Sequence, residues 1–88
     1  MLQVFARPKP CKIMTTLKDT ESTWHLSKIA KTTGTTYVYV TKLISKLEEN
    51  GLVAVESKGK KRVVKLTEKG VNVANAIDEL MKSLDYSK

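Results

Sequence analysis

Two stretches of this 88-residue chain carry positive charge with no acid to answer it. Ser22 to Leu47 holds four lysines (Lys28, Lys31, Lys42 and Lys46), and Ser57 to Thr67 holds five cations (Lys58, Lys60, Lys61, Arg62 and Lys65). Neither contains an aspartate or a glutamate; Glu48, Glu49 and Glu56 lie between them. Sixteen Lys and Arg against nine Asp and Glu give a formal charge of +7. Charge segregated in this way points to a polyanionic partner. Within the first stretch sits a run of hydroxyl side chains, Thr35, Thr36, Tyr37 and Tyr39. A hydroxyl both donates and accepts, so such a run can address polar edges as well as charge.

Other chemistries find little support. There is no glycine-rich phosphate loop and no G-x-S-x-G turn, and the single histidine, His25, has no obvious carboxylate partner. Between Trp24 and Leu26 it reads as a strand residue with a structural hydrogen bond rather than as a general base. The expectation is a protein that is not an enzyme and needs no cofactor. One cysteine, Cys11, allows no internal disulfide, and with one histidine leaves too few soft ligands for structural zinc. Cys11 remains open to two readings: a small packed residue, or a thiol that reacts or bridges two copies.

The elements that would position these groups follow from spacing. A chain this short supports one core, so residues 1–88 read as a single domain, with a compact part over about 10–67 and a further helix over 68–84. No apolar run approaches the ~20 residues of a membrane span, and Met1 to Ala6 lack the basic start and long apolar stretch of a secretory signal, so the expected location is the cytoplasm.

Pro10 suits a first helical turn, giving a helix from about Pro10 to Lys18 with Ile13, Met14 and Leu17 inward. Trp24 to Leu26 can pair as a short strand. Ser27 is the expected cap of a second helix, which buries Leu26, Ile29 and Ala30 and stops at Gly34. Only Thr33 to Thr36 then remain before a third helix, the length of a helix-turn-helix turn. That third helix is capped by Thr36, buries Val40, Leu43, Ile44 and Leu47, and stops at Asn50 and Gly51.

Beyond Gly51 the period changes. Leu52 to Glu56 and Val63 to Leu66 read as a hairpin whose tip, Lys58 to Arg62, is a flexible basic loop. Thr67 caps a last helix reaching about Leu84. There Val73, Ile77, Leu80 and Leu84 recur at spacings of four, three and four, with Ala74 and Met81 broadening the stripe. It pairs either with a second copy or with the chain's own first helix.

The residues from Thr36 through Val53, and the Lys65-Leu-Thr-Glu-Lys-Gly70 segment after them, resemble the recognition helix and the hairpin-to-helix junction of MarR-like regulators in the winged helix-turn-helix family. The resemblance covers about Trp24 to Gly70. It implies an α+β, mostly α, winged helix-turn-helix: a three-helix core with a β-hairpin wing and a C-terminal dimerisation helix. It also implies sequence-specific binding of double-stranded DNA by a transcription regulator, as a homodimer. The third helix would enter the major groove, with Thr35, Thr36, Tyr37, Tyr39 and Lys42 as contacts, Lys46 on its flank, and Val38 against a thymine methyl. Tyr37 or Tyr39 can instead tuck against the core.

The wing residues Lys58, Lys60, Lys61 and Arg62 would follow the backbone to the minor groove, and Lys28 and Lys31 would meet phosphates. The dimer contact would be Val73, Ile77, Leu80, Met81 and Leu84. MarR-like proteins are longer and often bind small effectors; little chain is left here to build such a pocket. RNA binding, protein association and non-specific architectural DNA binding stay open as alternatives, since one fold hosts all of them.

Overall fold

The computed structural model describes residues 2–84, beginning with a 3-10 turn at Leu2–Ala6. Four helices and one hairpin follow: α1 Pro8–Thr16, α2 Leu26–Thr33, α3 Tyr37–Glu49, β1 Val53–Lys58, β2 Lys61–Leu66 and α4 Glu68–Ser83. This is the mostly helical α+β architecture expected from the sequence.

Helix α1 starts and stops two residues before the expected bounds, because Pro8 as well as Pro10 fits in the first turn, where a missing N–H breaks no helical bond. It buries Cys11, Ile13 and Met14, and Leu17 caps it.

The cap of α2 is His25, not Ser27. The Lys28 N–H donates to His25 Nδ1 at 3.3 Å, and Ser27 lies exposed on the first turn. The reason is tertiary. His25 bridges to Val63, and the Val64 N–H donates to the Trp24 carbonyl at 2.7 Å. That pairing holds His25 extended (φ −115°, ψ 165°), so the helix begins at the next residue. The expected strand at Trp24 to Leu26 is thus a single bridge. Gly34 ends α2 at φ 68°, a left-handed backbone that any other residue adopts with strain. Thr36 caps α3 as expected, its Oγ1 accepting from the Tyr39 N–H at 3.0 Å.

The hairpin is longer than its apolar residues suggest. Pairing runs without a break from Val53 opposite Leu66 to Lys58 opposite Lys61. Only Gly59 and Lys60 form the turn. Lys58, Lys61 and Arg62 are therefore strand residues, a correction to the flexible basic loop, because backbone pairing carries the ladder past the last apolar side chain.

Thr67 joins the wing to α4. Its N–H donates to the Leu52 carbonyl (3.0 Å), its hydroxyl donates to the Gly51 carbonyl (2.6 Å), and the same oxygen accepts from the Gly70 N–H (3.1 Å).

One apolar cluster joins all of these elements: Ile13, Met14, Ile29, Val40, Leu47 and Val64 are almost wholly enclosed. Each such side chain contributes about 1.5–3 kcal/mol by leaving water. Helix α4 lies on α1, adding Ala74 and Ile77 to that cluster, with Val73 and Met81 packed at its edge. Lys18, in the turn just after α1, pairs with Asp78 of α4 across 2.7 Å. Among the described residues no helix is long and apolar enough to cross a membrane.

Candidate nucleic-acid interface

Burial of Val40, Leu43, Ile44 and Leu47 turns the opposite face of α3 to solvent. At its start Tyr37 and Val38 stand out, 52% and 62% exposed. Lys42, Ser45 and Lys46 continue the exposed face toward the C-terminal end. From Tyr37 to Leu47 no acid interrupts it.

The hydroxyls expected to read bases are partly engaged inside the chain. Thr36 caps α3. Thr33 donates its one proton to the Ile29 carbonyl at 2.7 Å. In the 3.0 Å contact between Thr33 and Thr35 the donor must then be Thr35. Thr41 donates to the Tyr37 carbonyl at 2.9 Å. Tyr39 takes the second of its two readings: half-buried, it packs on the core, with Lys9 Nζ 5.7 Å from its ring centroid. Of the two tyrosines, only Tyr37 stands clear of the fold.

The cations of α2 also differ from one another. Lys28 lies over the Trp24 ring, its Nζ 4.9 Å from the centroid, whereas Lys31 is free in solvent.

On the hairpin, directly opposed residues share a face. Lys58 and Lys61 face one way and Ser57 and Arg62 the other. Alternation along β2 puts Arg62 on the face of buried Val64, and Lys61 on that of Lys65. Lys58 and Lys61 are like charges directly across a ladder, an arrangement that disfavours the free hairpin and that an anion relieves. None of the five hairpin cations has a carboxylate within salt-bridge distance among the described residues, where Lys18 and Asp78 form the one ion pair.

The putting-together of α4 divides the predicted dimer stripe. Ile77 is 7% exposed and serves the chain's own core, with Val73 and Met81 beside it. Leu80 and Leu84, 56% and 68% exposed, project from the last turns.

A cleft of about 510 Å³ lies between the α1–α2 connection, β2 and the start of α4, walled by Leu17, Trp24, Leu66 and Val71. Burial raises the Cys11 pKa, and its Sγ donates to the Phe5 carbonyl at 3.1 Å. The thiol is thus held protonated and packed, against the reactive reading. Among the described residues no group of His, Cys, Asp and Glu is placed to hold a metal ion.

Two cations that the sequence pattern does not single out lie beside α3. Arg7 and Lys9 lie at the start of α1, next to the Tyr39 flank of α3. No periodicity signals this, since the approach is made by the fold.

Solved structures with the same fold include AF1382 from Archaeoglobus fulgidus, 25% identical, with 86% of this chain and 87% of that one covered and a TM-score of 0.81. A possible HxlR family transcriptional factor from Thermoplasma volcanium GSS1 is 24% identical over 97% of this chain and 78% of its own, at a TM-score of 0.82. A MarR family transcriptional regulator from Rhodococcus sp. RHA1 is 18% identical, with 88% of this chain covered and a TM-score of 0.80. The match spans only 56% of that regulator's length. No curated protein matches the sequence. The family model described as the DUF6293 C-terminal winged helix domain matches residues 14–78, a span running from within α1 through the helix-turn-helix and wing and into α4. The winged-helix resemblance read from the sequence therefore holds, and the chain belongs to this winged helix family.

Proposed function

We propose that this protein is a non-enzymatic transcription regulator that binds double-stranded DNA sequence-specifically, with α3 in the major groove and the hairpin at the adjacent minor groove. The observation that carries the reading is the exposed face of α3, acid-free from Tyr37 to Leu47, next to a hairpin whose five cations have no carboxylate partner among the described residues. A B-DNA major groove about 12 Å wide accepts one helix, and hydroxyl, lysine and apolar side chains on its outer face can meet base edges, phosphates and thymine methyls. The chain's structural neighbours, a possible HxlR family transcriptional factor and a MarR family transcriptional regulator, support the same reading.

Tyr37 and Val38 are the leading base contacts, with Thr35 and Thr36 beside them at the turn and Lys42 following at the edge of the reading face. Lys58, Lys60, Lys61 and Arg62 attend the minor groove, and Lys31 a phosphate. Leu80 and Leu84 are the apolar side chains left for a second copy, and a two-fold homodimer sets equivalent helices about 34–36 Å apart on one face of the duplex. Selection of bound duplexes from a random library tests the reading. A recovered palindrome supports specific dimeric binding. A flat distribution favours architectural coating, and preferential binding of RNA at matched salt excludes the duplex reading.

A further inference from the structure

The flank of α3 that faces the N-terminal segment forms a second cationic surface. A groove of about 370 Å³ runs between the two, lined by Arg7 and Pro10 on one side and by Tyr39, Lys42 and Lys46 on the other. Lys9 reaches over the Tyr39 ring at its edge. No acid lines this groove. Lys42 and Lys46 are one helical turn apart, a like-charge spacing that disfavours the helix unless an anion lies between.

Arg7 is not on a loose tail. Before it, Val4 and Phe5 pack on the core; after it, Pro10 and Cys11 are buried, and the Cys11 thiol ties the two sides through the Phe5 carbonyl. Pro8 and Pro10 stiffen the backbone between these anchors. The Arg7 side chain makes no capping bond to the helix it precedes. Its planar fork suits two phosphate oxygens at once, and its fixed backbone limits the entropy lost on binding.

Resting on the DNA-binding reading above, we propose that Arg7, Lys42 and Lys46 together seat a backbone phosphate of the bound duplex, just outside the groove that α3 enters. The N-terminal segment then belongs to the DNA interface. The surface is continuous with the proposed reading face through Lys42, and its charge matches a sugar-phosphate backbone. The contact carries no sequence information and fixes how far α3 is rotated in the groove.

Salt titrations of binding to one duplex test this, comparing the wild type, Arg7→Gln/Lys46→Gln, and Lys82→Gln as an equal-sign charge loss on the far end of α4. Losing that one phosphate lowers the slope of log affinity against log salt by about 0.9, which shrinks the affinity ratio between 50 and 200 mM salt about 3.5-fold. Lys82→Gln leaves the slope unchanged, and Arg7→Lys restores most of the Arg7 share. A wild-type slope in the double variant overturns the proposal while leaving DNA binding intact. So does a result in which inorganic phosphate shifts the amide resonances around Arg7 and Lys42 but the duplex slope does not change, because the groove then takes free anions. Absence of salt-dependent duplex binding by the wild type overturns the functional reading and this inference together.

Discussion

Replacing Gly70 with alanine tests the junction on which the wing and α4 are mounted. Gly70 lies in the first turn of α4 against the backbone of Leu52. A β-carbon built there overlaps the Leu52 carbonyl oxygen, stands 2.9 Å from its carbon and 3.2 Å from Leu66 Cδ2. Carbon atoms rest at about 3.5 Å or more, so the helix must back away by at least about 0.6 Å, and by more at the oxygen. That movement pulls on two Thr67 hydrogen bonds, to Leu52 and Gly51. Each contributes about 1 kcal/mol, and overpacking adds about 1–3 kcal/mol. Against this, alanine gains about 1 kcal/mol of helix propensity over glycine. The net loss is about 2–4 kcal/mol, equivalent to a fall in melting temperature on the order of 10–30 °C for a domain of this size. Thermal and urea unfolding followed by circular dichroism measure it, with Ala76→Gly on the exposed face of α4 giving the propensity difference alone. If Gly70→Ala melts at or above the wild-type temperature, the close approach is absent and the reasoning fails.

Four further outcomes are expected. Lys60, Lys61 and Arg62 changed together to alanine weaken binding to every duplex and lower the salt slope by about 2.7 if all three meet phosphates; an unchanged slope removes the wing from the interface. Thr36→Ala costs about 1 kcal/mol of stability through the lost cap, whereas Tyr37→Ala leaves stability within about 0.5 kcal/mol and costs about 1–3 kcal/mol on the preferred site alone. Equal losses by the Tyr37 variant on preferred and random DNA would deny it a base contact. Leu80→Glu with Leu84→Glu yields monomers in sedimentation while the fold survives, both side chains being exposed; a wild type already monomeric at micromolar concentration refutes the dimer. The Lys18 hydrogen bond lowers the Asp78 pKa below its usual value. The stability it contributes is therefore fully present above the ordinary carboxylate range and is lost as pH falls through the depressed folded pKa. The stability gap between wild type and Asp78→Asn should accordingly close in strong acid, and a gap constant with pH would show that the ion pair contributes nothing.

Much of this architecture is local and so was visible in the residues. The apolar spacing of Val40, Leu43, Ile44 and Leu47, the Thr36 and Thr67 caps and the Gly34 stop are set by neighbours within a turn, where helical geometry alone decides. The acid-free charge stretches needed no fold to be seen. What required the tertiary structure was everything made by distant partners. His25 caps α2 because Val63, from the wing, holds it extended. The ladder runs to Lys58 and Lys61 because backbone pairing does not depend on side-chain polarity. Heptad spacing could not apportion the α4 stripe, since the same pattern suits an intramolecular and an intermolecular neighbour. Only α1 lying across α4 separates buried Ile77 from exposed Leu80 and Leu84. Arg7 likewise comes to line one groove with Lys42 and Lys46 only because the fold brings the N-terminal segment beside α3, and Gly70 shows its constraint only where the Leu52 carbonyl arrives from another part of the chain.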